Sequence, residues 1–129
     1  MPGEVLYLDS SALVKLVVAE PESEQVAGLI GDWAVAASSV VARVEVTLVA
    51  RRRGGRVVAQ AGRVLAAVDL VPLEEAVLDA AHGLDPGLRA LDAIHVGSAM
   101  SVGDDLGAML TFDRRQRAAA VAGGIAVLP

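Results

Sequence analysis

Short apolar runs that stop at an acidic or hydroxyl residue alternate along this chain with longer helical stretches, and this alternation restricts its fold most. Glu4–Leu8 (EVLYL), bounded by Gly3 and Asp9, has the length and composition of a buried strand. An almost wholly apolar helix follows over Ala12–Val18, with Lys15 its one charge and Ser10 or Ser11 placed to cap it. Glu20-Pro21-Glu22-Ser23 breaks that helix and opens another, which Gly31 ends. Ala34–Ala37 reads as a weak strand, and Ser38 or Ser39 starts a long helix reaching Arg53 before Gly54-Gly55. Next come a helix over Arg56–Ala67, a strand around Leu70-Val71, and a helix over Leu73–His82 with Gly83 as its C-cap. Asp85-Pro86-Gly87 is a turn, Leu88–Met100 a helix, and Gly103-Asp104-Asp105 a loop. Ala108–Phe112 is a strand, Arg114–Ala122 a helix, and Ile125–Leu128 a final short strand. Strands separated by helices predict an α/β fold with a mostly parallel sheet of four or five strands. A chain of 129 residues has the size of a single domain, 1–129.

The apolar fraction is 54% and the mean hydropathy +0.54, yet no stretch approaches the ~18 apolar residues of a membrane span. Part of that apolar surface is therefore expected to face another chain, and the all-round apolar first helix points to a homodimer. The opening MPGEVLYLD has no positive region, so no signal peptide is expected. Without cysteine the chain has neither disulfides nor thiolate zinc sites, which fits a cytoplasmic protein without requiring one. Carboxylates and two histidines remain as metal ligands, and they favour a hard ion such as magnesium or manganese. A net charge of −5 speaks against a broad nucleic-acid surface, but the basic residues are grouped. Arg51, Arg52 and Arg53 stand together, as do Arg114 and Arg115. Such clusters suit phosphate contacts. For Arg51 to Arg53 a solvated helix end that compensates the dipole accounts for them equally well.

Four acids stand out by their surroundings. Asp9 and Asp113 each end a strand directly before a helix, the edge at which open parallel sheets bind ligands. Each also has an ordinary explanation as a cap, Asp113 with Gln116 forming a capping box. Glu45 has Val41, Ala42, Leu48 and Val49 as helical neighbours, an uncomfortable setting for a charge unless its tip reaches water. Asp92 sits early in an apolar helix, either solvated near the positive dipole end or turned toward a cation. Converging carboxylates raise one another's pKa unless a cation neutralises them, and a divalent metal does so economically. His95, on the apolar face of the Asp92 helix, reads as a core histidine with a hydrogen-bonded partner. Asp79 and His82 read as a solvated face.

The segments YLDSSALVKLVVAEPES, SSVVARVEV, LRALDAIHVGSA and TFDRR resemble, in order, the four signature blocks of PIN-domain proteins, and within them the VapC toxins of bacterial toxin–antitoxin modules. The resemblance covers nearly the whole chain. It implies an α/β/α sandwich around a parallel sheet and a magnesium- or manganese-dependent endoribonuclease. By motif, Asp9, Glu45, Asp92 and Asp113 are its acidic site and Ser11 the small hydroxyl residue beside it. Asp9 and Asp92 are expected to touch the metal, with Glu45 and Asp113 acting through water. The resemblance also implies an RNA substrate, tRNA or ribosomal RNA, and a small VapB-like antitoxin whose C-terminal segment lies across the acids. With Tyr7, Trp33 and Phe112 the only aromatics, recognition is expected to rest on RNA shape and arginine–phosphate contacts rather than on base stacking.

Other readings of the strand-end aspartate fare worse. A haloacid-dehalogenase-type phosphohydrolase needs a second Asp where Ser11 stands. A receiver domain needs a late lysine, and Lys15 is the only one. A PIN fold kept as a catalytically silent binding module is the remaining alternative; such proteins tend to lose acids, and this chain has all four.

Overall fold

The computed structural model describes residues 3–129. Strands β1 (Val5–Leu8), β2 (Val35–Ser39), β3 (Asp69–Val71) and β4 (Leu106–Leu110) form one parallel sheet in the order β3-β2-β1-β4. The helices are α1 (Ser10–Val17), α2 (Ser23–Gly31), α3 (Ala42–Arg51), α4 (Gly55–Ala66), α5 (Glu75–His82), α6 (Ala90–Ser101) and α7 (Arg114–Ala122), with a 3-10 turn over Gly103–Asp105.

Alternation along the strands sorts the side chains into two cores. Leu6, Leu8, Ala108 and Leu110 point to one side and pack with Leu13, Val17, Val26 and Val46 from α1, α2 and α3. Tyr7 and Met109 point to the other, against Val96 and Ala99 of α6 and Ala120 of α7. The expected α/β/α sandwich with a parallel sheet is what these two layers make. Among the described helices none is long and apolar enough to cross a membrane.

Several boundaries differ from expectation for local reasons. Strand β4 begins earlier, at Leu106, because Gly107 lets two backbones meet: a Cβ there would collide with the Gly3 carbonyl and the Trp33 ring. The β1–β4 register shifts beside it, between Val5 and Leu6. The expected fifth strand is a single parallel bridge, Met109 to Val127, with Met109 N–H donating to Ala126 O at 2.9 Å. Strand β2 runs through Ser39, so neither serine caps α3; Ser39 Oγ instead accepts from Val41 N–H at 3.2 Å. Helix α1 is capped by Asp9, not by Ser10 or Ser11. Its apolar surface is used inside the chain, where it packs against β1, α2, α3 and α4 with Ala12, Leu13 and Val17 buried.

Strand β1 lies between β2 and β4, so the chain leaves it toward one side of the sheet and later returns on the other. The connections that follow β1 and β4 therefore part at their carboxyl ends. That is the crevice in which open α/β sheets hold ligands.

Candidate active site

Asp9 leaves the end of β1 into this crevice and has no solvent exposure at all. Its Oδ1 accepts from Ser11 Oγ at 2.7 Å and from Ala12 N–H at 3.0 Å, the helix cap. Its Oδ2 accepts from Thr111 Oγ1 at 2.6 Å. Burial pushes the carboxyl above its ordinary range, while the Thr111, Ser11 and Ala12 hydrogen bonds oppose it, Thr111 most. The same groups tie the two strand ends together. Ser11 Oγ accepts from Phe112 N–H at 2.9 Å, and Thr111 Oγ1 accepts from Asp113 N–H at 3.0 Å.

Glu45 does not sit within the buried stripe of α3, which is Ala42, Val46 and Ala50. It borders that stripe, half-buried, with Leu48 exposed beside it. Its Oε2 accepts from Ser10 Oγ at 3.1 Å, and its Oε1 lies 2.8 Å from Nε2 of His95. His95 is fully buried, and its Nδ1 lies 2.8 Å from the phenol oxygen of Tyr7, which is also fully buried. The expected core histidine is present, with a partner on each ring nitrogen. Burial holds the Tyr7 phenol far above its ordinary pKa, so it keeps its proton.

Asp92 and Asp113 are joined through Gln116. Asp113 Oδ1 accepts from Arg115 N–H at 2.9 Å and Gln116 N–H at 3.0 Å, capping α7 as expected. The Gln116 amide does not complete a capping box; its Nε2 reaches across to Asp92 Oδ1 at 3.0 Å. Because the carboxylate only accepts, the amide must turn its NH₂ that way, and Oε1 is then a buried acceptor with no partner among the described residues.

All four acids line one cleft of about 760 Å³, together with Ser10, Ser11, Gln116, Lys15, Arg52 and Arg89. Of the five marked arginines, only Arg52 lines it. Arg51 lies along a shallow depression on α3 with Val44 and Leu48, while Arg53, Arg114 and Arg115 are exposed elsewhere. The sequence gives no site role to Thr111, Ser10, Gln116 or Arg89, marking Ser10 and Gln116 only as capping residues. Thr111 and Gln116 flank Asp113 in the chain, so a search for hydroxyl and amide groups beside each acid would have found both; Arg89 stands alone in sequence. Gathered as they are, the acids do not close into a cage: among the described residues no three Asp, Glu or His side chains are placed to hold one ion together. Each retains acceptor capacity. Asp9 Oδ2 has one hydrogen bond, and Oδ2 of Asp92 and of Asp113 has none among the described residues.

Residues 6–122 match the family model described as PIN domain. Three relatives from Mycobacterium tuberculosis align along most of their length. Ribonuclease VapC46 (strain ATCC 25618 / H37Rv) is 44% identical over 124 residues, covering 95% of each chain. Ribonuclease VapC47 (strain CDC 1551 / Oshkosh) is 36% identical over 117 residues, 86% of each. Ribonuclease VapC35, from the same strain as VapC47, is 33% identical over 132 residues, 96% of each.

Proposed function

This chain belongs to the PIN-domain family, among the VapC ribonucleases, and on that premise we propose that it is a single-domain, metal-dependent endoribonuclease toxin acting in the cytoplasm. The observation that carries the reading is the convergence of Asp9, Glu45, Asp92 and Asp113 on one cleft from β1, α3, α6 and the end of β4.

The residues fit a hard, hydrated cation. The donors are carboxylates, Oδ2 of Asp92 and of Asp113 accepts no hydrogen bond among the described residues, and Gln116 Oε1 is a buried acceptor beside Asp92. Magnesium dehydrates reluctantly and binds through one or two carboxylates while keeping its waters, which such a set supports. Asp9 and Asp92 would hold magnesium or manganese directly, Glu45 and Asp113 through water. Bound there, such an ion would supply Lewis-acid chemistry, acidifying a water and offsetting charge on the phosphodiester. The protein's own part is positioning. Thr111, Ser11 and the Ala12 N–H fix Asp9, Ser10 and His95 fix Glu45, and Gln116 fixes Asp92. Arg52 and Arg89 on the cleft wall, and Arg51, Arg53, Arg114 and Arg115 further out, supply contacts for the RNA backbone. Water would add to phosphorus as one P–O ester bond breaks, one of the water's protons ending on the leaving oxygen and its oxygen on the new phosphate monoester.

A VapB-like antitoxin is the expected inhibitor, with a basic side chain pairing with the acids. The exposed Val44 and Leu48 on α3 suit a homodimer contact better than α1 does, since α1 is already covered. The test is cleavage of tRNA and ribosomal RNA by protein purified free of contaminating nucleases. Cutting with magnesium or manganese and none in excess EDTA is expected. Full cutting in EDTA contradicts the metal reading, and no cutting under any condition leaves the silent binding module.

A further inference from the structure

Tyr7 and His95 belong to no part of the acid set, yet they form a buried line that ends on one member of it. Tyr7 comes from the middle of the sheet and His95 from α6, and both are without solvent exposure. Phenol oxygen to Nδ1 is 2.8 Å, and Nε2 to Glu45 Oε1 is 2.8 Å. Their chemistry gives the line a direction. The Glu45 carboxylate only accepts, so Nε2 carries a proton; the phenol keeps its own and donates to Nδ1. On the other side Ser10 Oγ donates to Oε2 at 3.1 Å, so both oxygens of Glu45 are gripped.

A buried imidazole so aligned does what a histidine's carboxylate partner does at many metal centres, with the parts exchanged: it fixes the rotamer of a carboxylate that faces the cleft. A free glutamate loses considerable rotamer entropy on ordering, and here that loss is met on folding instead of on ligand binding. We propose that Tyr7 and His95 are positioning residues for Glu45, holding its carboxylate at the cleft wall in the orientation that supports a hydrated divalent ion. This rests on the metal reading of the cleft.

The test is the dissociation constant for Mn²⁺, measured by titration calorimetry and by the electron-spin resonance of free Mn²⁺. It compares wild type, His95→Leu, His95→Gln, Glu45→Gln, the His95→Leu/Glu45→Gln pair and the Tyr7→Phe/His95→Leu pair. His95→Leu should weaken Mn²⁺ binding about tenfold or more. His95→Gln keeps a donor near the Nε2 position and should recover most of that loss. In the Glu45→Gln background His95→Leu should add nothing, because its effect runs through Glu45. Should His95→Leu fail to fold because it strands the Tyr7 hydroxyl, the Tyr7→Phe/His95→Leu pair removes both polar ends. It should still bind Mn²⁺ weakly. Imidazole ¹⁵N shifts in the metal-free wild type should show His95 with its proton on Nε2. Wild-type affinity in His95→Leu or in the Tyr7→Phe/His95→Leu pair, additive losses with Glu45→Gln, or a proton on Nδ1 alone each overturn the proposal. A wild type that binds no Mn²⁺ removes the metal reading itself, and the proposal with it.

Discussion

The two sides of the sheet are built from different materials. The side facing α1 to α4 is dry: Leu6, Leu8, Leu13, Val17, Val26, Val46 and Leu110 fill it. The side facing α6 and α7 carries small apolar residues, Ala37, Val96, Ala99 and Ala120, around Tyr7 and Met109. The same two helices bring in His95, Ser98 and Gln116, all buried. Ser98 Oγ, Gln116 Oε1 and, on β2, Ser38 Oγ are buried without a partner in hydrogen-bonding geometry among the described residues. Buried polar groups cost stability unless paired, so the second layer gives up stability to reach Glu45 and Asp92 with donors. The first layer carries most of the apolar core, and the second adds His95 and Gln116 to the α1 groups that orient the site.

Truncation on the dry side should give the largest stability loss and the smallest chemical one. Leu13→Ala empties a fully buried position and should cost about 2–5 kcal/mol, lowering Tm by roughly 8–20 °C for a chain this size. Below the new Tm, RNA cleavage per folded molecule should stay near wild type. A large loss of cleavage by fully folded Leu13→Ala would break the division between the layers.

On the polar side the signs should reverse. Asp92→Asn still accepts from Gln116 Nε2 and removes one negative charge from a cleft holding Asp9, Glu45 and Asp113. Its metal-free form should melt a few degrees above metal-free wild type, about 1 kcal/mol, and cut no RNA. Magnesium at a hundredfold excess over its dissociation constant should stabilise wild type by about 2.7 kcal/mol and the variant much less. Equal melting and equal cleavage would return Asp92 to an ordinary solvated acid near a helix start.

A smaller effect isolates Asp9. Its folded pKa is raised above 3.8, chiefly by burial, so it holds its proton more tightly folded than unfolded. Its contribution to stability is complete below the unfolded value and is lost as pH rises through the raised folded one. In chelator, wild type should therefore lose stability relative to Asp9→Asn as the pH rises from about 4. Denaturant titrations of both proteins across that range should show the difference sloping; a flat difference would mean that Asp9 is no costlier to ionise folded than unfolded.

How much of this was legible before the structure depends on the kind of feature. Strand and helix order follows from apolar runs and breakers, which are local, and the parallel sheet follows from their alternation. Positions of the acids near strand ends were equally plain: Asp9 directly follows β1, and Asp113 stands just past β4, after Thr111 and Phe112. Edges were less visible. Gly107 looks like a strand breaker until Gly3 and Trp33 are seen against it, and Ser39 looks like a cap until it joins β2. That Glu45 borders the buried stripe of α3 was hidden for a similar reason: helical spacing gives a face but not how far the sheet covers it. Least visible were long-range pairs such as Thr111 with Asp9, Gln116 with Asp92 and Tyr7 with His95. Nothing local distinguishes a glutamine that finishes its own cap from one that crosses to the next helix.

The central claim is that the carboxylates of this cleft hold a divalent ion for phosphodiester hydrolysis. Crystals soaked in Mn²⁺ and measured for anomalous scattering test it most directly. The account predicts a peak in the cleft within direct-coordination distance of Asp9 and Asp92, absent from Asp92→Asn crystals treated alike. No peak between those acids in crystals of protein that cuts RNA in the same buffer would contradict it.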